Sequence, residues 1–131
     1  MTLDWIAVVA AGLSAFVLGG LWYSPLLFAK AWQREAGVSD EALKNANPAI
    51  IFGGAAVLSV IAAAMFAYFL GPKPPLDVAL FAGATAGLCW VGTSFAINYL
   101  FERRSVKLFL INGGYHTLQF VLYGLVLSLL G

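Results

Sequence analysis

Apolar and polar positions divide this chain into four long uncharged runs separated by short charged seams. Trp5–Ala29, Pro48–Gly71, Val78–Phe101 and Leu108–Gly131 contain no Asp, Glu, Lys or Arg, and each is about 24 residues long. A helix rising 1.5 Å per residue needs roughly 20 residues to cross a hydrocarbon core of ~30 Å. The runs are continuous rather than alternating, which excludes the ~10-residue strands of a membrane barrel. The pattern predicts an all-α, polytopic membrane protein with one domain over residues 1–131, a four-helix transmembrane bundle. Its helices are expected at about 4–29, 48–71, 77–101 and 108–130.

Punctuation between the runs refines the boundaries. Thr2 is available to cap the first helix. Trp22-Tyr23-Ser24-Pro25 puts two interfacial aromatics before a proline that removes a backbone donor and disfavours a helical Ser24, so a kink or break is expected there. Residues 26–46 read as an amphipathic extension and a short helix. Phe28 and Trp32 lie four apart, as do Lys30 and Arg34, Gly37 ends the extension, and Ser39 opens the short helix with Asp40 and Glu41 in its first turn. Asn47-Pro48 is a cap followed by proline at the first helical position. Gly71-Pro72 closes the second helix, and the short 102–107 seam makes the last two helices an antiparallel hairpin.

Charge fixes an expected orientation. Of the seven basic residues, Lys30, Arg34, Lys44, Arg103, Arg104 and Lys107 fall in seams on one side and only Lys73 on the other. By the positive-inside bias both termini face outward, and the first run, with no basic residue before it, is read as a retained helix rather than a cleaved signal. Lys30, Arg34, Arg103 and Arg104 are the expected anchors to anionic lipid headgroups. A net charge of +1 with no basic surface gives no sign of nucleic-acid binding. Cys89 is the single cysteine, so an internal disulfide or a thiolate metal cluster is ruled out.

Small residues recur four apart: Ala11, Ala15 and Gly19; Ala55, Ser59, Ala63 and Ala67; Ala79, Gly83 and Gly87. Such stripes permit close backbone approach in lipid, either inside one chain or between copies in a homo-oligomer. Gly53-Gly54 and Gly113-Gly114 precede the terminal glycines of their runs by the same interval, which raises a duplication of helices 1–2 as 3–4.

The candidate chemistry lies in the last two runs. Asn112, His116, Gln119 and Tyr123 share an arc of roughly 60° on an α-helix. Counted from the 102–107 turn, Asn98 comes level with Asn112, Ser94 with His116 and Trp90 with Gln119, while Gly87 leaves room beside Tyr123. Polar groups facing lipid cost several kcal/mol each, so this seam must face protein or water. It is either interhelical glue or the lining of a cavity for a small solute, ion or lipid. His116 has no second histidine or carboxylate beside it for a metal, and Ser94 with His116 lacks an orienting acid. No enzyme, metal or cofactor is therefore expected.

Gly20-Leu21-Trp22-Tyr23-Ser24-Pro25-Leu26-Leu27-Phe28 followed by Lys30-Ala31-Trp32, together with Asn112-Gly113-Gly114-Tyr115-His116, resembles the domain-of-unknown-function 1761 family of small bacterial membrane proteins. The resemblance implies a four-helix protein of the bacterial inner membrane, with Trp22, Tyr23, Ser24, Pro25 and Trp32 as motif residues, and it implies no activity. Two expectations for function follow: an oligomeric, transport- or channel-like module with a polar intramembrane pocket, or a structural or accessory subunit. Membrane lipids and further copies of the chain are the expected partners.

Overall fold

The computed structural model describes residues 2–131. The helices are α1 (Trp5–Trp22), α2 (Ala29–Ala36), α3 (Asp40–Lys44), α4 (Pro48–Leu70), α5 (Leu76–Ala84), a π-helical segment Thr85–Gly92, α6 (Thr93–Glu102) and α7 (Val106–Leu130). Segment α5, the π turn and α6 run on as one span, Leu76–Glu102. With α1, α4 and α7 it makes four helices long and apolar enough to cross a membrane. The protein is an all-α, multi-pass membrane bundle.

Local chemistry sets each boundary. The cap of α1 is Asp4, not Thr2: its carboxylate accepts the Ala7 N–H at 3.2 Å. Asn47 accepts from Ala49 and Ile50 with Pro48 behind it, Ser39 caps α3, and Ser105 caps α7. Gly37 ends α2 in the left-handed region at φ 74°. Arg103 does the same for α6 at φ 59°, a conformation that costs a side-chain-bearing residue strain and lets the Arg104 N–H reach the Tyr99 carbonyl. The first span stops at Trp22, well short of Ala29. Pro25 cannot donate, and the Tyr23–Phe28 turn instead closes through Leu27 and Ala29 N–H groups on the Ser24 carbonyl and Phe28 N–H on that of Trp22.

In cross-section α4 packs on α1, α1 on α7, and α7 on α5 and the π segment, with a smaller contact between α4 and α7. The small-residue stripes, the exposed Ala55 excepted, make these contacts within the chain. Gly12 lies so close to α4 that a methyl there would meet the Val60 backbone at 2.8 Å. Gly83 abuts the Phe120 carbonyl, Gly87 the backbone of His116 and Thr117, and Gly124 the carbonyl of Ala79. The two glycine pairs do unlike work: Gly53 and Gly54 have open space before them, whereas Gly113 and Gly114 pack on Phe109 and Trp22. The second and third spans leave an apolar groove of about 700 Å³ between them, floored by Phe120.

Candidate functional site

Four of the polar residues sharing one face of α7 are engaged, and three of them begin or continue a single hydrogen-bond chain. Ser59 Oγ–H on α4 donates to the Gly12 carbonyl of α1 at 2.8 Å. With that proton committed, Tyr123 must be the donor in its contacts with Ser59, at 2.8 Å to Oγ and 3.0 Å to the carbonyl. The Tyr123 oxygen in turn accepts from Gln119 Nε2 at 2.7 Å. The Gln119 carbonyl oxygen is then left to accept from His116 Nδ1 at 2.6 Å. All donors point one way, from His116 on α7 through Gln119, Tyr123 and Ser59 to α1. Tyr123 is fully enclosed and Gln119 and Ser59 are buried, where an unpaired amide or hydroxyl is costly.

This direction assigns the neutral imidazole its proton at Nδ1 and leaves Nε2 a bare acceptor. No buried side-chain nitrogen or oxygen among the described residues lacks a partner. Nε2, which has none, is therefore accessible. The ring is held flat against Phe95, with centroids 4.9 Å apart and planes 12° from parallel, and edge-on to Tyr115 at 5.1 Å.

A second network lies one turn away. Tyr23 O–H donates to Asn112 Oδ1 at 2.6 Å, and Asn112 Nδ2–H donates to Tyr99 Oη at 2.7 Å. The Tyr99 hydroxyl hydrogen is not taken up by any described group, and its ring sits 5.7 Å from that of Phe95. An open acceptor, His116 Nε2, and an open donor, Tyr99 O–H, thus belong to two residues that both pack against Phe95. No Asp, Glu, Lys or Arg takes part in either network.

Asn112, His116, Gln119 and Tyr123 keep the common face their spacing predicts, but their partners are not those counted from the turn. Ser94 and Asn98 are exposed, as is Trp90, and Gly87 lies against His116 and Thr117 instead of Tyr123. The cause is the π segment. Hydrogen bonds from i to i+5 wind less per residue than the roughly 100° of an α-turn, so eight such residues rotate everything after Gly92 away from the extrapolated face. Where the ladder reverts to α, hydroxyls supplement it: Thr93 Oγ1 donates to the Cys89 carbonyl at 2.7 Å and Ser94 Oγ to that of Trp90 at 2.7 Å. Phe95 and Tyr99 therefore face α7 one residue along from Ser94 and Asn98. Side chains tilt toward their own helix N-terminus, so in this antiparallel pair they lean toward each other and meet His116 and Asn112 from farther along the span.

Tyr23, Ser59, Phe95, Tyr99 and Tyr115 are the contributors that the residue spacing missed. The readable signal was the pairing of the two sequence blocks. Trp22 Nε1–H donates to the Ile111 carbonyl at 2.9 Å and its ring lies over Gly114. Tyr115 O–H donates to the Ala15 carbonyl at 3.0 Å beside Gly19. Ser24 Oγ–H donates to the Leu21 carbonyl, Phe28 packs on Trp22 with centroids 4.8 Å apart and planes tilted 50°, and Trp32 meets Tyr23 edge-on at 6.1 Å. The Trp22–Pro25 break thus carries α2 back over its own aromatics.

At the basic end, Arg34 pairs with Glu35 at 3.4 Å and Arg104 with Glu102 at 3.3 Å. Arg104 also donates to the Ala36 carbonyl at 3.1 Å, locking α2 to the 102–105 turn. Lys30 and Arg103 are exposed and make no ion pair among the described residues. The Ser105 hydroxyl donates to Glu35, and this bond, with the Arg34 charge as a lesser aid, holds the Glu35 carboxyl below its ordinary 4.5. No group of three or more His, Cys, Asp or Glu that could hold a metal occurs among the described residues.

Compared with known protein families, residues 6–128 match the one described as "Protein of unknown function (DUF1761)". No curated protein and no solved structure matches the chain.

Proposed function

Because the chain belongs to that family over nearly its whole length, and membership brings no activity with it, we propose a function from the residues themselves. The protein is a small module of the bacterial inner membrane, basic end toward the cytoplasm, that takes up a small uncharged polar solute beside Phe95. The observation that carries this reading is the pair of open atoms on the two residues flanking that ring, an acceptor on His116 and a donor on Tyr99. A solute able both to give and to receive a hydrogen bond suits them, and the lack of any formal charge in the two networks favours a neutral molecule over an ion. Asn112 and Tyr123 bond across to other elements as interhelical glue, worth about 0.6–1.7 kcal/mol per bond in lipid, and Gln119, bonded within α7, holds the imidazole in one tautomer. Copies of the chain associate so as to cover exposed Ser94 and Asn98, since the small-residue stripes are already used within each copy.

Proteoliposomes challenged osmotically with urea, glycerol and small amides test the uptake. Wild type is expected to re-swell faster than empty vesicles with at least one solute, and His116→Leu and Tyr99→Phe to slow this while still assembling. If no solute enters faster than through bare lipid, the reading fails and the protein is a structural or accessory subunit.

A further inference from the structure

The groove between the second and third spans lies apart from the His116 site and has two polar groups of its own. Its walls include Met65, Phe66, Phe69, Phe81 and Phe120, and to these are added Thr85 and Trp90. Neither the Thr85 hydroxyl nor the Trp90 indole N–H is bonded to another described group. The two residues are five apart, and on an α-helix they would diverge by about 140°. Thr85–Gly92 is π-helical, where the i to i+5 repeat brings residues five apart onto the same side, so both line the groove. π turns inside α-helices are frequent at functional sites.

Depth narrows what these donors meet. The third span is Leu76–Glu102, so its midpoint is Cys89. Trp90 therefore lies within about 2 Å of mid-span and Thr85 about 6 Å from it, at 1.5 Å per residue. Tryptophan ordinarily sits at the interface, some 15 Å from the centre of a ~30 Å hydrocarbon core. The ester carbonyls of a phospholipid lie at that interface too, and cannot reach mid-span without burying a charged headgroup. A lipid-soluble ligand that brings an acceptor to this depth must therefore lack such a headgroup. The groove's volume of about 700 Å³ falls in the range of small-molecule sites, roughly 300–1,000 Å³. We propose that the groove between the second and third spans binds a lipophilic ring ketone of the quinone class, its carbonyl oxygens accepting from Thr85 and Trp90 and its ring and tail packing on the phenylalanines.

Native mass spectrometry of the full chain in mild detergent, with decylubiquinone as the probe, tests this. Decylbenzene, which lacks the carbonyls, and phosphatidylethanolamine are the comparison ligands. The wild type is expected to retain decylubiquinone about tenfold better than decylbenzene. Thr85→Val and Trp90→Phe should each weaken that retention about fivefold, the usual effect of one neutral hydrogen bond, while Thr85→Ser retains it. Ala82→Leu, which fills the groove without touching either donor, should also reduce it. The proposal is overturned if decylbenzene is held equally well, if only phosphatidylethanolamine is retained, or if variants with wild-type helical content bind decylubiquinone as the wild type does.

Discussion

Replacing Tyr123 by phenylalanine removes one oxygen and no ring volume, so its cost isolates the hydrogen-bond chain from packing. That oxygen joins α7 to Ser59 on α4 and accepts from Gln119 at 2.7 Å. Losing the interhelical bond costs about 0.6–1.7 kcal/mol in a membrane. Gln119, only 8% exposed, is then left with a buried N–H and no partner, a further penalty of about 1–3 kcal/mol. Tyr123→Phe should therefore destabilise the bundle by about 2–5 kcal/mol. In the double variant Tyr123→Phe/Gln119→Leu the stranded amide is gone, so the combined loss should fall short of the sum of the single losses by about 1–2 kcal/mol. Equilibrium unfolding in mixed micelles, run as a double-mutant cycle, measures both quantities. A Tyr123→Phe loss below about 0.5 kcal/mol, or strictly additive losses, would refute the chain as a coupled unit.

Other perturbations read separate parts of the structure. Gly87→Ala forces a methyl onto the His116 backbone and should cost about 1–3 kcal/mol by overpacking, whereas Gly53→Ala, with open space before it, should be neutral or stabilising by up to about 1 kcal/mol; the same unfolding assay compares them. Because the Glu35 value is lowered on folding, its bond to Ser105 contributes stability above pH 4.5 and loses it as pH falls through the still lower folded value. The protection of the Ala36 and Gly37 amides, measured against their intrinsic exchange rate at each pH, should accordingly fall below pH 4.5, and Ser105→Ala should move that transition upward. If copies meet across the exposed side of the third span, oxidising wild-type membranes should cross-link Cys89 to Cys89, since that thiol is exposed there; exclusively monomeric protein after oxidation and in native mass spectrometry would count against that contact.

The line of Asn112, His116, Gln119 and Tyr123 was legible because it depends on one helix with a 3.6-residue period. Its partners were not. Pairing across a hairpin needs the rotation and rise of both helices, and Thr85–Gly92 changes both without an apolar or charge signal to mark it. Asn98 and Ser94 thus fell one residue from Tyr99 and Phe95, which are the groups that turn toward α7. The Trp22–Pro25 block was readable as a break, since proline chemistry is local. That Trp22 and Tyr23 grip Ile111 and Asn112 was not, because those bonds join residues 89 apart. The small-residue stripes said that helices approach closely and left open whether within one chain or between copies. Only the bulk each glycine faces decides that, and Gly12, Gly83 and Gly87 all face this chain's own backbone.

His116 is the single histidine of the chain, so ¹⁵N-histidine labelling gives one imidazole whose two nitrogens are read directly by NMR in lipid nanodiscs. The one-way chain through Gln119 predicts a proton on Nδ1, a bare Nε2, and a change confined to the Nε2 resonance when a transported solute is added. A proton on Nε2 in the neutral ring, or resonances that no solute perturbs, would contradict it.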